Sequence, residues 1–286
     1  MMWTWLFMIT NEIRWEIQKR LDQIEKDQNV RILYACESGS RAWGFPSPNS
    51  DYDVRFIYIN SRDYYLSPFK SKKRDVIDTV EYPIVDNIDI GGWEITKALD
   101  LIYKSNAVVA EWMCSPICYK TDPKAFNGLV KIIGECQKPV ALWYHYYSLA
   151  LSGLNDLFTN ISISIKHMEP KRNVLLKKYF YTLRAVFAMM YIDQYKTRPP
   201  MNFTDLLAFT KSGNIYIELD KLLTLKRTTD ELGTGPYITN VSSFIKEKMI
   251  EFSERRKQIE EDLKVSTLQY HEIEDPFNNF FQSLLF

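Results

Sequence analysis

Two runs of β-branched and aromatic residues, VRILYAC (30–36) and DYDVRFIYI (51–59), flank a stretch rich in glycine, proline and serine, SGSRAWGFPSPNS. Runs of this kind bounded by turn formers read as strands. Their closeness in sequence points to a hairpin within one sheet. Alternation along the second strand puts Asp51, Asp53 and Arg55 on one face.

The rest of the chain is organised around this hairpin. Ile13, Ile17, Leu21 and Ile24 recur at helical spacing behind Thr10 as N-cap, which predicts an amphipathic helix as far as Asp27. Beyond the charged connector SPFKSKKRD, residues 76–82 and 84–90 read as two more strands, separated by Pro83. From Gly91 the character changes. Ile95, Leu99 and Ile102 fall at helical spacing, and further helices are predicted over 124–138, 140–159, 171–196, 214–226 and 239–264. Strands followed by helices make an α+β chain. We expect a mixed, mostly antiparallel sheet with helices on one side in a domain of residues 1–121, and a helical domain of residues 122–286 that closes over a cleft.

A chain of 286 residues with 46% hydrophobic content can bury a core of this size. Lysine plus arginine and aspartate plus glutamate are equal at 36 each, so no net field draws the chain to nucleic acid or an anionic membrane. A polyanion site must then be a local patch. Cys36, Cys114, Cys118 and Cys136 include no CxxC pair and do not cluster with the three histidines, the pattern of reduced thiols in a cytoplasmic protein. The apolar start MMWTWLFMIT lacks a basic leader and gives way to charge after about ten residues, short of the roughly 20 that span a bilayer. A soluble chain without a membrane partner is expected.

Transfer of phosphoryl or nucleotidyl groups needs donors for polyphosphate oxygens and carboxylates for Mg²⁺. Both are present in the hairpin. A glycine after a strand lets backbone N–H groups approach phosphates, and a serine beside it adds a hydroxyl; Gly39 and Ser40 fit this role. Asp51 and Asp53, two residues apart on one strand, can share two metal ions about 4 Å apart. Asp89 interrupts the apolar run NIDIGGW, a position that is unfavourable without a compensating metal or partner. We take it as the third ligand and the general base for an acceptor hydroxyl. Asp86, near a turn, and Glu94, at a helix start, read instead as solvated or capping groups. The basic run KSKKR (70–74) reads as a solvated loop, with RNA contact as the alternative. Trp93 and Trp112 read as core. His145 has no serine or cysteine triad to join.

Strand, Gly-Ser, ten residues and Asp-Tyr-Asp-Val together resemble the signature of the DNA-polymerase-β-like nucleotidyltransferase superfamily. More narrowly, GSRAWGFPSPNSDYDVRFIY, DIGGWEITKALDLIYKSN, EWMCSPICY and KKYFYTLR resemble nucleotidyltransferases associated with bacterial and phage RNA repair, the YcgL or RlaP-like family. The resemblance implies an enzyme that moves a nucleoside monophosphate from an NTP such as ATP to an acceptor hydroxyl and releases pyrophosphate, using two Mg²⁺ ions or Mn²⁺ in their place. Gly39 and Ser40 would grip the triphosphate, and Asp51, Asp53 and Asp89 would hold the metals. Arg41 and Arg55 would neighbour the phosphates, although either arginine can instead neutralise Asp51 or Asp53. In KKYFYTLR, Lys178, Tyr181 and Arg184 at spacings of three would offer two cations and a hydroxyl to the nucleotide, unless that helix face is packing. The acceptor implied is an RNA end, as in cleaved tRNA. A protein side chain, a small molecule and a non-catalytic nucleotide-binding role stay open beside it.

Overall fold

The computed structural model describes residues 9–67, 78–161, 165–209, 214–228, 233–264 and 270–286. Most of the apolar start and the basic run 70–74 lie outside these residues. The chain forms two compact units. The first comprises Met1–Ala42, Asp51–Gln137 and Leu268–Phe286, and the second comprises Trp43–Ser50 and Lys138–Thr267.

In the first unit the opening helix α1 (Asn11–Gln28) begins where expected. The Thr10 hydroxyl accepts from the Ile13 N–H at 3.3 Å, and the helix ends at Asn29 in the left-handed region. It buries Ile17, Leu21 and Ile24, a contribution of about 2 kcal/mol per side chain. The strands are β1 (Arg31–Glu37), β2 (Tyr52–Ile59), β3 (Thr79–Glu81), β4 (Ile88–Glu94) and β5 (Cys118–Thr121). They form one sheet in the order β3-β4-β2-β1-β5. Only the β2–β4 pair is parallel, so the sheet is mixed and mostly antiparallel, as expected. Short helices α2 (Gly39–Ala42) and α3 (Arg62–Leu66) flank β2 in the sequence. After β4 come α4 (Ile95–Tyr103) and α5 (Ala107–Trp112), and after β5 comes α6 (Pro123–Cys136).

The expectation of helices on one side of the sheet is corrected. On one face Ile32, Ala35, Val54, Phe56, Tyr58, Ile88 and Ile90 pack with the buried residues of α1. On the other, Leu33, Tyr34, Cys36, Ile57 and Ile59 pack with α4, α5 and α6. The reason lies in the composition of β1 and β2, whose near-continuous apolar runs need cover on both faces. Leu33 and Tyr34 join the same core because the β1–β2 register shifts between Ile32 and Tyr34.

The boundary expected after residue 121 falls inside the first unit. Asp122 caps α6 by accepting from the Ala125 N–H at 3.0 Å, and α6 buries Ala125, Leu129, Ile132 and Ile133 in the first unit's core. The C-terminal helix, Tyr270–Leu285, returns to this core. Its Phe280 ring fills the space a Cβ on Gly128 would need, and its Phe277 meets the Tyr103 ring edge-on at 5.8 Å. Helical periodicity marks an apolar face but not its distant partner. The strand expected over 84–90 is also displaced. Asp86 and Asn87 adopt left-handed conformations and make a turn, and Gly91 and Gly92 continue β4 instead of ending it. Gly92 is required there because the Phe56 ring of β2 occupies the position of any Cβ.

The second unit is largely helical: α7 (Pro139–Leu157), α8 (Lys177–Tyr195), α9 (Phe203–Phe209), α10 (Asn214–Thr228) and α11 (Thr239–Leu263), after which α12 (Tyr270–Leu285) is the returning helix of the first unit. Two short pairs, β6 (Phe158–Thr159) with β7 (Glu169–Pro170) and β8 (Asn173–Leu175) with β9 (Thr234–Pro236), were not expected. The second pair delays the helix expected from 171 until Lys177. The segment Trp43–Ser50 packs within this unit, where Phe45 stacks on Phe180 with ring centroids 5.3 Å apart. Among the described residues no helix is long and apolar enough to cross a membrane. All four cysteines are free thiols.

Candidate active site

The site is assembled where β1 ends and β2 and β4 begin. On β2 the face that carries Ile57 and Ile59 into the core carries Arg55 and Asp53 towards the strand's start, the continuation that period-two alternation demands. In the parallel register Asp53 lies opposite Asp89 of β4. Neighbouring strands are about 4.8 Å apart, so the two carboxylates share one face at close range.

Arg55 stands between them. Its Nη2 donates to Asp89 Oδ2 at 2.6 Å and lies 3.6 Å from Asp53 Oδ1, while Nη1 donates to the carbonyls of Val54 and Asp89. The sequence allowed Arg55 to neutralise Asp51 or Asp53; its tightest partner is Asp89. Burial raises the Asp53 carboxyl above the usual carboxylate range. Arg55 opposes that rise, and the charge of Asp89 adds to it. Asp51 is an exposed residue just before β2. Among the described residues no three acids, cysteines or histidines close into a metal-binding group, so Asp51, Asp53 and Asp89 are near one another along the chain and sheet without forming a finished cage.

Gly39 has φ +58, and a Cβ there would overlap the Asp53 carboxylate. Backbone conformation and space therefore both require glycine at this position. The one-turn helix α2 follows with Ser40 and Arg41 buried. Arg41 donates from Nε to the Asp51 carbonyl at 3.1 Å, and its guanidinium lies 4.0 Å from the centre of the Tyr52 ring. It thus braces the backbone that leads into β2.

Glu37, the last residue of β1, has a role that sequence reasoning missed. It is fully buried; its Oε1 accepts from the Asp53 N–H at 2.9 Å and its Oε2 from the Tyr119 hydroxyl at 2.5 Å. Burial lifts its carboxyl to about 7, against the lowering effect of those two donors. The available signal was an acid closing an otherwise apolar strand, the same reasoning that picked out Asp89. Glu94 behaves as expected of a cap, accepting from the Thr96 N–H at 2.7 Å, and Asp86 pairs with Arg20 at 2.7 Å. Trp93 and Trp112 stack on each other with centroids 4.0 Å apart.

The expected nucleotide contacts on α8 lie in the second unit. Lys178 pairs with Asp156 at 3.0 Å, and Tyr181 meets the rings of Trp43 and Phe45 edge-on. Arg184 is buried, with its guanidinium 4.5 Å from the centre of the Trp43 ring. The three share helical spacing but differ in setting: an ion pair, an exposed ring and a buried cation.

A small residue against a carboxylate at the end of one strand, facing acids on two neighbouring strands and an arginine between them form a polar, charge-dense centre. It suits a cation or a polar ligand better than an apolar one. Over residues 13–277 the chain matches the RNA repair pathway DNA polymerase beta family, RlaP. It is also similar to the uncharacterized protein YcgL of Bacillus subtilis (strain 168), at 37% identity over 254 residues that cover 88% of this chain and 92% of that protein. On this evidence the chain belongs to the RNA repair pathway DNA polymerase beta family.

Proposed function

We propose that this protein is a nucleotidyltransferase dependent on a divalent cation, Mg²⁺ or Mn²⁺, that moves a nucleoside monophosphate from an NTP to a hydroxyl at an RNA end, such as that of a cleaved tRNA, releasing pyrophosphate. The observation that carries this reading is the packing of Gly39 against Asp53 with Asp89 in register opposite. The donor chemistry fits a hard divalent cation, since both facing side chains offer carboxylate oxygens and burial already disfavours an uncompensated charge on Asp53. Asp53 and Asp89 would hold the cation, with Asp51 as the third acid. When bound, the cation would supply charge neutralisation for the attacking and leaving oxygens.

The chain's own residues account for the rest. Gly39 leaves room for the Asp53 carboxylate against the backbone, and Ser40 follows it with a hydroxyl. Asp89 is the acid suited to take the proton of the acceptor hydroxyl, once Arg55 no longer holds it. Arg55, freed from Asp89, would be a cation at hand for a phosphate oxygen. Family membership in RNA repair supports an RNA acceptor.

Incubation with each labelled NTP and with intact tRNA, nicked tRNA and cell protein tests this reading. Label on nicked tRNA is expected. Label confined to protein would contradict the RNA acceptor, and no label on any acceptor would contradict transfer itself.

A further inference from the structure

Asp53 is positioned by an interaction outside the sheet ladder. β1 and β2 pair as far as Glu37 opposite Val54, and the Ser38 N–H donates to the Asp53 carbonyl at 2.7 Å. A regular antiparallel ladder would return the Asp53 N–H to the Ser38 carbonyl. That carbonyl instead accepts from the Ala42 N–H at 3.4 Å, because the chain turns at Gly39 into α2. The turn that makes room beside Asp53 therefore takes away the acceptor of Asp53's own N–H.

Glu37 supplies the replacement: its Oε1 accepts from that N–H at 2.9 Å. The carboxylate is held from its other oxygen by the Tyr119 hydroxyl at 2.5 Å. The backbone beneath it is tied on both sides, with the Glu37 N–H donating to the Ile117 carbonyl at 2.9 Å and the Glu37 carbonyl accepting from Ser115 Oγ at 2.6 Å. A fully buried acid is unfavourable unless its hydrogen bonds are made, and a cap for a single N–H does not need a charged group. An acid fixed at four points behind Asp53 fits a supporting group that sets the direction of a ligand side chain.

We propose that Glu37 is a positioning residue: with Tyr119 it fixes the start of β2 so that the Asp53 carboxylate is presented for a divalent cation. This rests on the reading of Asp53 as a metal ligand.

The test is Mn²⁺ affinity of the full chain, read from the paramagnetic resonance signal of free Mn²⁺, with thermal unfolding recorded for each variant. Glu37→Met fills similar volume but removes the acceptor, and is expected to weaken Mn²⁺ binding by roughly 10-fold or more. Glu37→Gln keeps an acceptor for the Asp53 N–H and is expected to restore affinity close to wild type. Tyr119→Phe keeps the ring and frees the carboxylate, with a smaller loss expected; this variant carries the test if Glu37→Met does not fold. Wild-type affinity in Glu37→Met, or in Tyr119→Phe where Glu37→Met does not fold, overturns the inference. So does a Glu37→Gln protein as weak as Glu37→Met. Absence of Mn²⁺ binding in the wild type overturns the reading of Asp53 as a ligand and this inference with it, whereas wild-type binding with unaffected variants overturns this inference alone.

Discussion

The first unit gathers acids around the start of β2, whereas the second lays bases against the segment Trp43–Ser50. In the first, Glu37 is enclosed at the end of β1, and Asp53 and Asp89 face each other with Arg55 between them. In the second, Arg184 lies over the Trp43 ring, Lys226 donates to Ser47 Oγ at 3.0 Å, and Arg227 donates to the Gly44 carbonyl from Nε at 3.1 Å. Burial raises the carboxyls of Asp53 and Glu37 above their ordinary range, and the charge of a neighbouring acid adds to the rise in each. The bases are instead held by hydroxyl, carbonyl and ring atoms that fasten the segment Trp43–Ser50 within its own unit. Burial makes the charged form of an acid unfavourable, which a bound cation would relieve, whereas cations bound to carbonyls and rings stabilise packing. On the proposed function the acids would carry the chemistry and the bases the architecture.

The largest expected effect concerns the acids. Asp53→Asn should lower nucleotidyl transfer about a thousandfold, the equivalent of roughly 4 kcal/mol of transition-state stabilisation, in a labelled-NTP assay. Retention of more than a tenth of the activity would break the distinction between the two units.

Next comes the pH dependence of stability in chelator. Folded Glu37 keeps its proton up to about 7, whereas an unfolded glutamate loses it near 4.5. Between those values the folded state binds more protons, so this group's contribution is complete below pH 4.5 and is lost as pH rises through 7. Denaturant unfolding at pH 4.5 and pH 8 should show a fall of roughly 3 kcal/mol at most in wild type that Glu37→Gln lacks. Equal slopes in the two proteins would show that burial does not raise the Glu37 carboxyl.

Gly39→Ala should reduce transfer about 100-fold, since a methyl group would displace the Asp53 carboxylate. An intact melting temperature with that loss would separate site geometry from folding. In the second unit, Arg184→Lys should lower stability by about 1 kcal/mol through the lost stacking on Trp43, with the KM for NTP little changed. A KM raised about tenfold at unchanged stability would return Arg184 to the nucleotide and blur the comparison.

The hairpin of β1 and β2, the α1 cap at Thr10 and the Glu94 cap were legible because each depends on residues close in sequence. Asp89 was legible as an unfavourable charge in an apolar run and Asp53 as one of two carboxylates two residues apart on a strand, and their pairing followed once β2 and β4 were neighbours. The return of α12 onto α6 was not, because an apolar helical face does not name its distant partner. The switch of Glu37 from a strand's last residue to a substitute ladder acceptor was equally hidden. It arises only after Gly39 has turned the chain and the Ser38 carbonyl has been claimed by Ala42. Arg55 was identified as a neighbour of the phosphates or, alternatively, a partner of Asp51 or Asp53, but its pairing with Asp89 depends on the parallel register that sets the two strands side by side.

The most direct test of the acid pair is anomalous diffraction from crystals grown with Mn²⁺ and a non-hydrolysable NTP. The expected result is Mn²⁺ in contact with Asp53 and Asp89, with the Arg55 guanidinium withdrawn from Asp89. Nucleotide bound with no Mn²⁺ at these acids, and the Arg55–Asp89 pair intact, would contradict the assignment of this site.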